Sequence, residues 1–219
     1  MAIKPILFNT EMVRAIIDGR KTCTRRIVRP PYFVDGDEND KRSLITLRTA
    51  TKNSSLYRQI GQMPYPDAPY RMCDILYVRE TWCKGLARYI YRADYSDTEK
   101  FYRNGKEIEM KWHPSIHMPK EAARIWLKVT DVRVERLHDI TEDGALREGA
   151  QGIKCDHVAM ESGCTDCMNT GWIEPPQVEF MQIWDSTIKK PDIDRYGWDA
   201  SPWVWVIEFE RCEKPACMR

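Results

Sequence analysis

Apolar residues alternate with period two over several short stretches and recur with helical spacing over few, so the chain reads as strand-rich with short helices. Ile3 to Phe8 predicts a strand. Asn9 and Thr10 are both good N-caps, and Met12, Val13, Ile16 and Ile17 then make one helical stripe that Gly19 ends. Thr22 to Val28 predicts a second strand, closed by Pro30-Pro31. From 31 to 70 the chain turns polar and proline-rich, which predicts a long surface excursion with a hairpin around Ser43 to Thr49.

Ile75 to Arg79 and Arg88 to Arg92 predict further strands, and Asp97 to Met110 a loop or hairpin. The strongest strand pattern is Arg124 to Arg136. Ile125, Leu127 and Val129 share one parity while Val132 and Val134 take the other, which predicts a bulge near Thr130-Asp131. Thr141 opens a short helix that ends near Gly149. Pro175-Pro176 starts another, with Val178, Met181, Trp184 and Ile188 on one face. Trp203 to Glu210 predicts a closing strand, with Trp203, Trp205, Ile207 and Phe209 facing one side and Val204 and Val206 the other. Many strands, short helices and no alternating βα rhythm predict an α+β chain built on a small mixed β-barrel.

The 219 residues suit a single domain, 1–219, rather than two. Hydrophobic residues are 42% and charged residues 31%, which suits a soluble globular protein and argues against disorder. No apolar run is long enough to cross a bilayer and the N-terminus lacks a signal-peptide core, so a cytoplasmic protein without membrane partners is expected. Net charge is only +1, yet Arg14, Arg20, Lys21, Arg25, Arg26 and Arg29 crowd one stretch with Glu11 and Asp18 as its acids. Such a patch attracts phosphates, or else forms a solvated face.

Eight cysteines in a cytosolic chain read as thiols or metal ligands rather than disulfides. Within an insert at 153–174, Cys164 and Cys167 place two thiolates on one tight turn, a spacing suited to tetrahedral zinc. Cys155 with His157 or a distant cysteine completes the set. A structural zinc is therefore the candidate cofactor, with surface thiols or a redox pair as the other readings; no organic cofactor is implied.

The sharpest candidate for chemistry is the helix-to-strand junction Gly19-Arg20-Lys21-Thr22-Cys23-Thr24-Arg25-Arg26. An ammonium, a hydroxyl and a guanidinium fall within six residues on Lys21, Thr24 and Arg26. Together they can hold phosphate, polarise a carbonyl or, with a base, act through the hydroxyl as a nucleophile. The pattern Gly19-x-Lys21-x-x-Thr24-x-Arg26 resembles the GxKxxTxR signature of the ASCH family. Cys73 to Trp82 resembles that family's GDxLxVRETW strand, and Trp112 to Pro119, Ile125 to Leu137, Phe180 to Ser186 and Trp203 to Phe209 resemble its phage and prophage members. The resemblance implies a PUA-like β-barrel with short flanking helices and a cleft bordered by the first helix.

It also implies that the cleft binds RNA or a modified nucleoside, with Arg20, Lys21, Arg25, Arg26, Arg79 and Trp82 lining it. Trp82 is a base-stacking platform or a plug for the barrel end. Some small relatives are amidohydrolases that cleave N4-acylated cytidine with a lysine, a threonine nucleophile and a glutamate; Lys21 and Thr24 match the first two. The glutamate's place falls on Lys128 here, and Glu80 is the candidate to stand in, or else to pair with Arg26 or Arg79. A hydrolase using Lys21, Thr24 and Glu80 is the alternative function. An accessory protein that binds a host protein through its long loops is a third.

Overall fold

A computed structural model describes residues 1–29, 68–85, 88–103, 105–155 and 171–215, with the backbone alone of 33–35 and 46–48. In chain order the elements are β1 (Ile3–Leu7), α1 (Thr10–Ile17), β2 (Cys23–Ile27), β3 (Phe33–Asp35), β4 (Thr46–Arg48), β5 (Ile75–Arg79), β6 (Trp82–Lys84) and β7 (Tyr89–Tyr91). There follow β8 (Phe101–Arg103), β9 (Lys106–Ile108), β10 (Trp126–Arg136), α2 (Glu142–Arg147), β11 (Ile153–Lys154), β12 (Trp172–Glu174), α3 (Pro176–Thr187), α4 (Ile193–Tyr196) and β13 (Trp203–Cys212).

The main sheet runs β1-β5-β10-β13-β2, with β1 and β5 parallel and the other pairs antiparallel. The chain is therefore a mixed α+β structure with few, short helices. The expected barrel closure is not seen: β1 and β2 are the two edges of the sheet, and no strand pairing joins them among the described residues. What spans them is a side chain, since Arg26 on β2 donates to the carbonyl of Leu7 on β1 at 2.8 Å.

The bulge on β10 explains how one strand feeds one core with two parities. Val129 pairs with Phe209 and Asp131 with Glu208, so Thr130 is skipped and the alternation resets. Leu127 and Val129 before the bulge and Val134 after it all reach the same cluster, with Ile6, Val13, Ile16, Leu76, Trp205 and Ile207. Each such side chain, taken fully from water, contributes about 1.5–3 kcal/mol. Across the sheet, Val204 and Val206 meet Leu137, which follows β10, Ala145 of α2, and Phe180 and Trp184 of α3. Trp205 and Ile207 thus face one core and Val204 and Val206 the other, as the alternation predicts.

The buried face of α3 differs from the predicted stripe: Pro176, Phe180 and Trp184 are buried, whereas Val178 and Met181 are half-exposed. The spacing of four selects Phe180, which packs 6.2 Å from Trp184 and 6.1 Å from Trp198. β10 begins at Trp126, two residues later than predicted, because Arg124 turns away to an ion pair. The Asp97–Met110 segment contains the β8–β9 hairpin, and Thr46–Arg48 pairs with Phe33–Asp35. The insert leaves through a narrow neck: β11 pairs with β12, and Cys155 N–H donates to Gly171 O at 3.1 Å. His157, Cys164 and Cys167 lie outside the described residues. No helix among the described residues is long and apolar enough to cross a membrane.

Candidate functional site

The junction between α1 and β2 is fixed by the backbone before any side chain acts. Asn9 caps α1 through its side chain to Met12 N–H at 2.8 Å. Asp18 ends the helix, and Gly19 takes φ +77°, the left-handed turn a side chain would resist. Lys21 N–H then returns to Ala15 O at 2.9 Å, and Thr22 N–H donates to Arg147 O at 2.8 Å. Arg20 reaches Gly149 O at 2.8 Å, so residues 20–22 are laced to the end of α2. Gly149 has φ +100°, and a Cβ there would meet Ala15 Cβ at 2.9 Å. Glycine is what lets these two segments approach.

That approach delivers a carboxylate. Lys21 donates to Glu148 Oε2 at 2.5 Å and to Glu148 O at 2.9 Å, and the lysine side chain is 0% exposed. Sequence reasoning missed Glu148. One signal was available: Glu148 caps the C-terminal end of α2, where the helix dipole disfavours an anion and a partner cation is called for.

Arg25, also buried, gives one nitrogen to Glu148 Oε1 and another to Glu135 Oε2, both at 3.3 Å. Arg133 then joins Glu135 at 2.5 Å, Glu208 at 2.5 Å and Asp131 at 3.0 Å, and Arg147 meets Glu208 at 2.6 Å. Four cations alternate with four carboxylates, so this network is balanced within itself. Cys23 lies among these groups, its thiol pushed up to about 12 by burial and by Glu148, and so is no nucleophile.

The opposite face of β2 carries the unbalanced groups. Thr24 stands opposite Ile207 and Arg26 opposite Trp205, which are residues of the inner core. Thr24 is buried, and its hydroxyl makes no hydrogen bond among the described residues. Phe8 lies between the two sets, its ring 5.6 Å from Lys21 Nζ and 5.4 Å from the Arg26 guanidinium. Burial lowers the Arg26 pKa, opposed by Tyr70 and Glu148, and burial raises that of Tyr70 against the pull of Arg26. Two of the three lysine donors are spent on Glu148, so Lys21 keeps one N–H for another acceptor.

Glu80 is elsewhere. It is 1% exposed and takes a two-point clamp from Arg124, at 2.9 and 3.0 Å, while Arg124 also reaches Asp94 at 2.7 Å. Neither Arg26, Arg79, Lys21 nor Thr24 is its partner among the described residues. Arg79 instead ties the carbonyls of Met118, at 2.9 Å, and Ile116. Trp82 packs in the β6–β7 hairpin, 5.6 Å from Tyr89 and 5.0 Å from His113, and its buried indole N–H has no acceptor among the described residues. Lys128 is half-exposed beside Glu210 at 3.4 Å. Of the sequence candidates, the structure joins Lys21 and Arg25 through Glu148, sets Thr24 and Arg26 on the other face of β2 and ties Arg20 to Gly149, while Glu80, Arg79 and Trp82 keep the separate contacts just given.

No protein-family model, no curated protein and no solved structure matches the chain.

Proposed function

We propose that the chain is an ASCH-type, PUA-like protein that binds RNA or a modified nucleoside through Lys21, Thr24 and Arg26. The observation that carries this reading is the buried Thr24 hydroxyl without a partner among the described residues, set on the same face of β2 as Arg26 and three residues after a lysine with one donor to spare. A nucleobase edge offers carbonyl oxygens, ring nitrogens and amino groups at fixed spacing. An ammonium, a hydroxyl that both donates and accepts, and a guanidinium suit such an edge. Burying these charges is a poor route to stability, because apolar residues of like volume would serve a core as well or better. The resembling segments also support the reading: the GxKxxTxR pattern occupies the α1–β2 junction, and the other strand blocks fall on β5, β10 and β13. The Arg26–Leu7 link across the two sheet edges supports a curled, barrel-like form. Lys21 and Thr24 are buried, and Arg26 is the half-exposed member of the set.

The Lys21–Glu148 pair favours a second reading, hydrolysis of an N4-acylated cytidine, because it supplies the carboxylate that the sequence motif lacks. In that reaction Thr24 Oγ1 attacks the acyl carbon, and its proton passes by way of Lys21 and Glu148 to the departing N4 amine. Water then releases the acyl group from Thr24 as the carboxylic acid.

Chromatography of N4-acetylcytidine incubated with the protein separates the two. Deacetylation that disappears in Thr24→Ala establishes the hydrolase. An unchanged substrate together with salt-dependent binding of single-stranded RNA supports the binding reading. Neither turnover nor binding contradicts both.

A further inference from the structure

Arg25 takes no place on the face of β2 that carries Thr24 and Arg26. It stands opposite Val206 on β13, so its side chain enters the second core, over the ring of Phe180 at 5.8 Å. That side chain is 3% exposed. Burying a guanidinium there is costly, and an apolar residue of similar volume would suit the core as well or better. The Nε–H also has no acceptor among the described residues, which adds to the cost. Stability does not account for this arginine.

The surroundings nevertheless make room for it. Gly144 lies in the first turn of α2 without a positive φ, so no left-handed turn calls for glycine there. A Cβ on Gly144 would come to 3.2 Å from Nη2 of Arg25 and from Ile140 Cγ1, and to 3.3 Å from Thr141 Oγ1. All three are tighter than ordinary contact. The missing side chain leaves the space in which the guanidinium sits.

What Arg25 holds is the carboxylate beneath Lys21. Its Nη1 donates to Glu148 Oε1 and its Nη2 to Glu135 Oε2, both at 3.3 Å. Glu135 belongs to β10 and is held in turn by Arg133 at 2.5 Å. Glu148 is thus tied at one oxygen to the main sheet and at the other to Lys21 Nζ at 2.5 Å. Two separate cations on its two oxygens stop the carboxylate from turning. Lys21 gives a second N–H to the carbonyl of Glu148 at 2.9 Å. With two donors of a tetrahedral ammonium fixed, the direction of the third is fixed as well.

We infer that Arg25 is a positioning residue for Lys21: acting through Glu148, it holds the free N–H of the lysine in one direction for the ligand. The inference rests on the reading of Lys21, Thr24 and Arg26 as the ligand-binding face, and adds to it a residue that touches no ligand. A partner behind the contacting group sets how far that group drifts.

Arg25→Lys and Gly144→Ala test it in the full chain. The lysine keeps the charge but is a point donor, without the fork that serves two carboxylates. The alanine keeps Arg25 and is the better helix former, while its Cβ displaces the guanidinium. The proton–nitrogen correlation signal of the Lys21 ammonium, assigned by its absence from Lys21→Met, reads the lysine directly. In each variant its exchange with water should quicken about tenfold, with amide exchange along β2 unchanged. Titration with single-stranded RNA and with N4-acetylcytidine should show binding weakened about tenfold in each. Unchanged affinity in both variants overturns the inference, and so does weaker binding with an unchanged ammonium signal. If the native chain binds neither probe, the reading of the ligand-binding face fails, and the ammonium signal alone still decides whether Arg25 positions Lys21.

Discussion

Lys21 Nζ and Glu148 Oε2 stand 2.5 Å apart, 127 residues distant in the chain, with both side chains almost wholly buried. A buried pair of this kind gains little over an apolar replacement, while either charge alone in the same place is costly. Glu148 also serves Arg25, so its loss strands two cations rather than one.

Glu148→Leu is therefore expected to destabilise by about 3–5 kcal/mol in urea denaturation. Lys21→Met leaves Glu148 still paired with Arg25 and is expected to cost less. The double variant recovers part of the loss from Glu148→Leu, because no lysine remains unpaired. Strictly additive losses would show that the two residues do not act as a pair.

The Glu80–Arg124 clamp gives a prediction with a pH sign. Burial raises the Glu80 pKa, the hydrogen bonds and charge of Arg124 opposing it. A carboxyl whose folded value is raised stabilises as pH falls through that value, because the folded state then holds the proton better than the unfolded chain. Arg124→Met removes the opposing partner, and is expected to cost about 3 kcal/mol or more at neutral pH. The deficit should shrink as pH is lowered toward about 5, with Glu80 protonating in place. Denaturation midpoints at the two pH values check it; a deficit that grows in acid contradicts the assignment.

For the insert, the spacing of Cys155, His157, Cys164 and Cys167 leads us to propose one structural zinc. Metal analysis of protein purified without chelator is expected to give one zinc per chain, lost in a Cys164→Ser, Cys167→Ser variant. Thiol titration should show the same cysteines protected until the zinc is removed. Full thiol reactivity with no metal would favour surface thiols.

Much of the frame was legible in the pattern of the chain. The parity switch between Val129 and Val132 predicted the bulge, and the alternation along Trp203 to Phe209 predicted which residues face which core. Asn9 and Gly19 marked both ends of the first helix because caps are local chemistry. Pairing partners were not legible. Glu80 pointed to Arg26 or Arg79 by proximity in sequence and mechanism, whereas Arg124 enters from a loop that the strand pattern had absorbed into β10. Glu148 closes on Lys21 only because Gly149 lets two segments touch, a contact with no local periodicity. Whether the sheet closes was likewise beyond reach of strand patterns: the expected barrel is not seen among the described residues, because closure depends on how far β1 and β2 curl toward each other.

The most direct test of the nucleoside reading is a titration with single-stranded RNA and with N4-acetylcytidine, comparing the native chain with Thr24→Val. The substitution keeps the shape and deletes a hydroxyl that no described protein group needs, so no partner is left unsatisfied and stability should hold within about 1 kcal/mol. Loss of one buried ligand hydrogen bond should weaken binding roughly tenfold. Binding that is equally tight in Thr24→Val, with the fold intact, would contradict a ligand at the Lys21–Thr24–Arg26 face.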